Sequence, residues 1–134
     1  MNTTYIDKLA FIEIKDRKVL ETLSNGKDIW YIPGGKREPG ESDIQALMRE
    51  IKEELSVDLI PGTLQLYGVF ETQAHGKPEG TLVRMTCYTG KYIGNLTPSA
   101  EVGHMDYFPY SKKHLTSPVD NLIFDDLKRK GLIE

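Results

Sequence analysis

Cysteine is nearly absent from this sequence, with Cys87 the only one among 134 residues. A single cysteine excludes an internal disulfide and is typical of proteins that work in a reducing compartment. The first ten residues lack a basic region followed by an apolar run, so the sequence predicts no signal peptide. No apolar run approaches the roughly 20 residues that a membrane-spanning helix needs. We therefore expect a cytoplasmic protein that does not bind a membrane.

An excess of positive charge is also lacking. The 17 lysines and arginines are outnumbered by 20 aspartates and glutamates, which gives a net charge of −3. This balance offers no basic surface for a nucleic acid polymer or an anionic membrane. It is still compatible with a small phosphate-bearing ligand, because a bound cation can reverse the local field. The length fits one domain over residues 1–134, either as a monomer or as a homodimer.

The residue patterns predict a mixture of strands and helices. Alternating or β-branched runs predict strands over 8–14, 18–23, 29–32, 63–72, 81–93 and 106–108. Asn25-Gly26 is a hairpin signal, the segment 33–41 is a loop with room for an irregular strand, and the polar segment 73–80 joins two strands. Helices are predicted over 43–55, with Ser42 and Gln45 as a capping box, and from Pro118 to Gly131. Because strands and helices do not alternate strictly, we expect an α+β fold with a mixed sheet between helices.

The predicted helix over 43–55 carries three glutamates on one face. Its apolar residues, Ile44, Leu47, Met48, Ile51 and Leu55, form one stripe of roughly 100°. Glu50, Glu53 and Glu54 follow helical spacing beside that stripe, and Arg49 flanks them. A solvated acidic face is the simpler explanation for most charge runs, but this cluster borders the buried stripe and has little positive charge around it. Carboxylates gathered in this way suit a hard cation such as Mg²⁺.

The same residues carry a family resemblance. Gly35, Glu41 and the run from Arg49 to Val57 have the spacing of the Nudix box, which would span residues 35–57. Every charged position is present, and the one departure is Ser56 in place of the usual glycine. We expect this serine to end the helix without a left-handed cap, since glycine favours that cap. The resemblance extends more weakly to residues 30–36 and 96–108.

The resemblance to Nudix hydrolases implies a fold, a reaction and a set of site residues. The fold is an α/β/α sandwich, and the reaction is Mg²⁺-dependent hydrolysis of a nucleoside diphosphate linked to another moiety, with Mn²⁺ as an alternative ion. The metal ligands implied are Glu50, Glu53, Glu54 and the backbone carbonyl of Gly35. Either Glu53 or Glu54 is also expected to hold the attacking water. Arg49 is expected to orient the glutamates, while Glu41 and Gly34 support the loop.

Candidates outside the box rest on weaker signals. Many relatives carry another catalytic glutamate on a later loop, for which Glu101 is the first choice and Glu71 the second. The candidates for substrate binding are Lys36, His75, Arg84 and Asn121, although each also has an ordinary explanation as a surface or capping residue. Trp30 and Tyr31 either stack on a base or pack in the core.

The substrate class expected is a nucleoside triphosphate or a small nucleotide derivative. Two other classes of function stay open on the sequence. One is a nucleotide-sensing module of Nudix type without catalysis, which would have no need of the complete carboxylate set. The other is a calcium-binding structural domain, although no EF-hand alternation of Asp, Asn and Gly is present.

Overall fold

The computed structural model describes residues 4–134, so three residues of the N-terminal stretch used to exclude a signal peptide lie outside the described part. The strands are β1 (Thr4–Phe11), β2 (Ile14–Lys15), β3 (Lys18–Ser24), β4 (Gly34–Lys36), β5 (Asp58–Leu59), β6 (Gln65–Gln73), β7 (Thr81–Thr89), β8 (Tyr92–Ile93) and β9 (Val102–Phe108). The α-helices are α1 (Asp43–Leu55) and α2 (Pro118–Arg129), and short 3₁₀ turns cover Pro61–Thr63 and Tyr110–Leu115. Within residues 4–134, none of the helices is long and apolar enough to cross a membrane.

The principal sheet has the strand order β4-β1-β7-β6. Its central pair, β1 and β7, is parallel, while β4 and β6 are antiparallel to their neighbours. A second sheet has the order β2-β3-β9, and β5 pairs with β8. The prediction of a mixed sheet is therefore confirmed.

The side chains of β1 show how the layers are arranged. Leu9 and Phe11 belong to a core cluster with the buried residues of α1, whereas Ala10 and Ile12 belong to a cluster with the buried residues of α2. Because successive side chains of a strand point to opposite faces, α1 and α2 cover opposite faces of the sheet. This arrangement confirms the predicted α/β/α sandwich.

Helix α1 begins and ends where the sequence predicts. The Ser42 hydroxyl accepts the backbone N–H of Gln45 at 3.2 Å, and the Gln45 side chain accepts the backbone N–H of Ser42 at 2.9 Å, which confirms the capping box. The expectation for Ser56 is wrong, because this residue adopts the left-handed conformation itself, with φ 63°. Its hydroxyl donates to the backbone oxygen of Thr97 at 3.2 Å, which helps to offset the strain of that conformation in a residue other than glycine.

Two strand predictions need correction. Residues 29–32 form only isolated bridges, from Tyr31 to Thr22 and from Trp30 to Thr116. The backbone N–H of Ile32 donates to the Asp120 side chain, and the chain then turns at Pro33 to join β1. Trp30 is partly buried and packs against the core on Phe108, with 4.9 Å between ring centroids. The run predicted as one strand over 81–93 is interrupted after Thr89 and continues as β8.

Candidate active site

The Glu54 side chain connects α1 to the short strand β4. Its Oε1 atom accepts the backbone N–H of Gly34 at 3.0 Å. Gly34 has φ 148°, and a Cβ there would lie 2.0 Å from the backbone oxygen of Leu9. Only glycine therefore lets this backbone N–H approach α1 while β4 still pairs with β1.

Gly35 lies against the side chain of Glu50. A Cβ at Gly35 would lie 2.4 Å from the carboxyl carbon of Glu50, so the absence of a side chain allows the carboxylate to rest against the backbone. Gly34 and Gly35 thus place β4 next to two of the three α1 glutamates.

Arg49 links the loop before α1 to the glutamate face. Its Nε and Nη2 atoms lie 2.7 and 2.9 Å from the two carboxylate oxygens of Glu41, a bidentate pair. Nη1 lies 3.0 Å from Glu50, and Nη2 also donates to the backbone oxygen of Lys36 at 3.1 Å. The Arg49 guanidinium holds the pKa of Glu41 at about 2. Through these contacts Arg49 connects the loop that carries Glu41 to Glu50 on α1.

Burial makes the glutamate face hard to ionise. It raises the pKa of Glu54 to about 7, and the nearby charge of Glu50 acts in the same direction. Burial also raises the pKa of Glu50, against the attraction of Arg49. Glu53 is different, since its side chain is 54% exposed. A cation at this face would favour the ionised forms that burial disfavours.

The carboxylate oxygens of α1 suit a hard divalent ion, although the three side chains do not converge on one point. Within residues 4–134, no group of three or more His, Cys, Asp or Glu side chains is arranged to hold a metal ion. Glu54 is turned toward the Gly34 N–H, whereas Glu50 and Glu53 share Arg49 Nη1, at 3.0 and 3.5 Å. The two carboxylates that meet at one nitrogen, with the Gly35 backbone beside Glu50, provide the oxygen ligands that Mg²⁺ prefers.

A cleft opens beside Glu54. It consists of two adjoining cavities of about 490 and 510 Å³, both lined by Lys8, Lys27, Tyr31 and His75. We call it the lysine cleft. Gly34 and Glu54 line the second cavity, so the cleft reaches one of the three α1 glutamates directly. Each cavity lies in the size range of small-molecule sites, roughly 300–1,000 Å³.

Sequence reasoning missed Lys8 in this cleft. It lies on β1 with its Nζ atom 5.2 Å from the centroid of the Tyr31 ring, and burial lowers its pKa. Glu54 and Glu50 attract it electrostatically. One sequence signal could have identified Lys8. It stands directly before the apolar run that begins at Leu9, in a segment predicted as a strand without any functional role.

The predicted binding residues divide into two groups. Lys36, His75 and Glu101 line the first cavity of the cleft. Arg84 and Asn121 line neither of these two cavities, so the cleft gives no support to their assignment to substrate binding, which stays a prediction.

Arg84 and Asn121 each have other partners within the protein. Arg84 forms an ion pair with Glu71 across β6 and β7 and lies 4.0 Å over the Tyr5 ring. Glu71, the second choice for a catalytic glutamate, is therefore bound to Arg84 and also lines neither cavity. The Asn121 side chain donates to the backbone oxygen of Ser117 at 2.9 Å, within the first turn of α2.

Comparison with known proteins identifies a matching family model and several similar proteins. The NUDIX domain matches residues 12–120. The chain is 37% identical over 65 residues to the 8-oxo-dGDP phosphatase NUDT18 of Homo sapiens, which covers 47% of this chain but only 20% of that protein. It is 34% identical over 79 residues to the 8-oxo-dGTP diphosphatase of Proteus vulgaris, covering 57% of this chain and 66% of that protein.

The fold comparison extends over nearly the whole chain. The solution structure of the E. coli ORF135 protein superposes with a TM-score of 0.73 at 22% identity, over 96% of this chain and 94% of that one. At this identity the likeness concerns the fold alone. The domain match extends from β2 through the glutamate helix to the start of α2, and from it we conclude that the chain belongs to the NUDIX domain family.

Proposed function

We propose that this chain is a divalent-metal-dependent pyrophosphohydrolase that cleaves a nucleoside triphosphate, or another nucleoside-diphosphate derivative, by attack of water on phosphorus. The observation that carries the proposal is the position of Glu54. This side chain lies beside Glu50, accepts the Gly34 N–H and lines a cleft large enough for a small molecule.

The α1 face would supply the reaction chemistry. Glu50, Glu53, Glu54 and the backbone carbonyl of Gly35 are the proposed ligands of Mg²⁺, or of Mn²⁺ in its place. When bound, the ion supplies neutralisation of the pyrophosphate charge and a lower pKa for water. Because Glu54 lines the cleft beside Glu50, it is the stronger candidate to take a proton from the attacking water. Arg49 would hold Glu50 and Glu53 in place through its Nη1 atom.

The lysine cleft would bind the rest of the nucleotide. Lys8, Lys27 and Lys36 bring positive charge to a protein whose net charge is negative, and phosphate oxygens are their natural partners. Tyr31 offers an aromatic face in the same cleft. Glu101 lines the cleft as well and is the alternative base to Glu54. Both relatives described above are named for 8-oxo-deoxyguanosine nucleotides, so these compounds belong at the head of an assay panel.

A turnover assay tests the proposal. The purified chain is incubated with nucleoside di- and triphosphates, including 8-oxo-dGTP and 8-oxo-dGDP, with Mg²⁺, Mn²⁺, Ca²⁺ or EDTA. We expect release of pyrophosphate or phosphate that depends on Mg²⁺ or Mn²⁺ and is lost in EDTA. Hydrolysis in ¹⁸O-labelled water should place the label on the phosphorus that is attacked.

Two other outcomes would contradict the proposal and identify the alternative. Nucleotide binding without turnover under any metal condition would indicate a sensing module. Stabilisation by Ca²⁺ with neither nucleotide binding nor turnover would indicate a structural domain. The Glu54→Gln protein serves as the control for contaminating hydrolases, because its activity should fall while a contaminant's would remain.

A further inference from the structure

Two acidic side chains that are far from the α1 glutamates in sequence are completely buried. Glu21 on β3 and Asp120 in the first turn of α2 are both 0% exposed. An ionised carboxylate in an apolar interior is strongly unfavourable unless it has a partner. The hydrogen-bond partners of this pair therefore decide its protonation.

Within residues 4–134, hydrogen bonds from other groups reach only one of the four oxygens. Asp120 Oδ2 accepts the backbone N–H of Ile32 at 2.8 Å, whereas Asp120 Oδ1 and both oxygens of Glu21 accept none from any other group. The Glu21 carboxyl lies within hydrogen-bond reach of Asp120. Two carboxylates cannot bond to each other without a proton, so one of them must carry it.

The surroundings place that proton on Glu21. Asp120 has the Ile32 N–H and the positive charge of Lys8 to stabilise its ionised form. Glu21 has neither, and burial together with the charge of Asp120 raises its pKa well above the usual range. The other titratable groups that interact with Asp120 are Tyr31 and Cys87, both neutral, with pKa values that burial raises.

The pair is linked to the glutamate face through three backbone residues. The N–H of Ile32 is held by Asp120, and the N–H of Gly34 donates to Glu54. We propose that Glu21 is a neutral carboxylic acid whose hydroxyl donates to Asp120, and that this hydrogen bond positions the segment 32–34 against Glu54. Glu21 is then a positioning residue that acts through Asp120. Its effect on catalysis rests on the proposed function, whereas its protonation does not.

The sign of the pH dependence follows from the extra proton. The unfolded chain ionises Glu21 above about pH 4.3, whereas the folded chain keeps it protonated to a higher pH. The stabilisation is therefore complete at low pH and is lost as the pH rises toward the folded pKa. One additional bound proton changes the unfolding equilibrium constant up to about tenfold per pH unit.

Infrared spectroscopy and unfolding measurements on Glu21→Gln test the protonation without any substrate. The glutamine amide keeps a donor toward Asp120 and cannot ionise. At pH 7 the wild-type protein should show a C=O band of a protonated carboxylic acid that is reduced in Glu21→Gln. Between about pH 5 and pH 8 the unfolding equilibrium constant should rise more steeply in wild type than in Glu21→Gln, by up to tenfold per unit. Glu79→Gln, the same change at an exposed residue, should match wild type in both measurements.

An unchanged infrared spectrum together with parallel pH dependences would overturn the proposal. If Glu21→Gln fails to fold, the Glu50→Gln/Glu54→Gln double variant decides, because it lacks the two α1 glutamates whose pKa values burial raises. A protonated-acid band remaining in that protein at pH 8 would support a neutral Glu21, and its absence would exclude it.

A second substitution tests the positioning role. Glu21→Met fills a similar volume but has no donor for Asp120, so kcat/KM should fall by about tenfold or more, whereas Glu21→Gln should restore most of it. Equal losses in Glu21→Met and Glu21→Gln would show that the site responds to packing and not to the hydrogen bond. A folded chain with no turnover on any nucleotide would contradict the proposed function and leave the infrared result valid.

Discussion

At the scale of single residues, Glu54 combines burial with a place in the cleft wall. Its substitution by glutamine should reduce nucleotide hydrolysis by about 100-fold or more, because it removes both a proposed metal ligand and the candidate base. Since burial raises the pKa of Glu54 to about 7, the stability that its protonated form provides is lost as the pH rises through 7. The metal-free Glu54→Gln protein should consequently be more stable than wild type above pH 7 and similar to it near pH 5.

Thermal unfolding at several pH values and steady-state kinetics provide these two comparisons. Full activity in a folded Glu54→Gln protein would contradict the assignment. Glu53→Gln should also lose activity but should show little of the stability gain, since the Glu53 side chain is largely exposed.

Arg49 acts at the same scale through the carboxylates that it holds. Arg49→Ala should lower activity by about 10- to 100-fold, the usual effect of losing a group that orients metal ligands. A higher metal concentration should restore part of the rate, because Glu50 and Glu53 remain present but are less well placed. Arg49→Lys should rescue little, since a lysine cannot form the bidentate pair with Glu41.

The control for this prediction is Lys52→Ala, which removes a positive charge from the same helix at an exposed ion pair with Asp58. Its rate should stay near that of wild type. A loss in Arg49→Ala that metal titration leaves untouched, with metal affinity unchanged, would argue against the orienting role.

At the scale of elements, the end of α1 depends on an unusual serine. Ser56 occupies the left-handed region, which costs a residue other than glycine about 1–2 kcal/mol, and its hydroxyl bonds to Thr97 and Ser99. Ser56→Ala keeps the strain and loses these bonds, so it should lower the free energy of unfolding by about 1 kcal/mol. Ser56→Gly loses the bonds but also the strain and should be more stable than Ser56→Ala. Denaturant unfolding of the two variants measures the difference, and an alanine variant as stable as the glycine variant would show that the strain is absent.

At the scale of the whole molecule, strands and loops distant in sequence form one cleft. Lys8 comes from β1 and His75 from the β6–β7 hairpin, and both line the two cavities. Lys8→Met should raise KM for a nucleoside triphosphate by about tenfold, because a charge-assisted hydrogen bond contributes about 1.5–3 kcal/mol. His75→Ala should alter the ranking of nucleotides by kcat/KM more than the metal requirement.

Asn121→Ala is the matched control for these cleft variants. Its amide bonds to the backbone of α2, so the substitution should cost some stability without changing the ranking of nucleotides. If Asn121→Ala changed the ranking while Lys8→Met did not, the nucleotide would have to bind elsewhere than in the lysine cleft.

Local sequence signals predicted the elements whose stabilising contacts are made by residues close to them along the chain. Helix α1 is an example, because the capping box and the apolar stripe both lie within residues 42–55. The segment 29–32 is the opposite case. Its composition favours a strand, but the backbone N–H groups of Trp30 and Ile32 donate to Leu115 and Asp120, which lie far away in the chain and which no local pattern predicts as partners.

The sequence by itself determined the family, the order of the main elements and the carboxylate face, because the Nudix box is a local pattern of charges and glycines at fixed spacing. Only the tertiary structure decided which groups outside the box meet that face. Lys8 and His75 reach the cleft, Arg84 and Asn121 have other partners, and Glu21 meets Asp120 across about 100 positions. The physical reason is that pairing between strands, and the packing of two helices on opposite faces of one sheet, bring together residues whose separation along the chain carries no periodic signal.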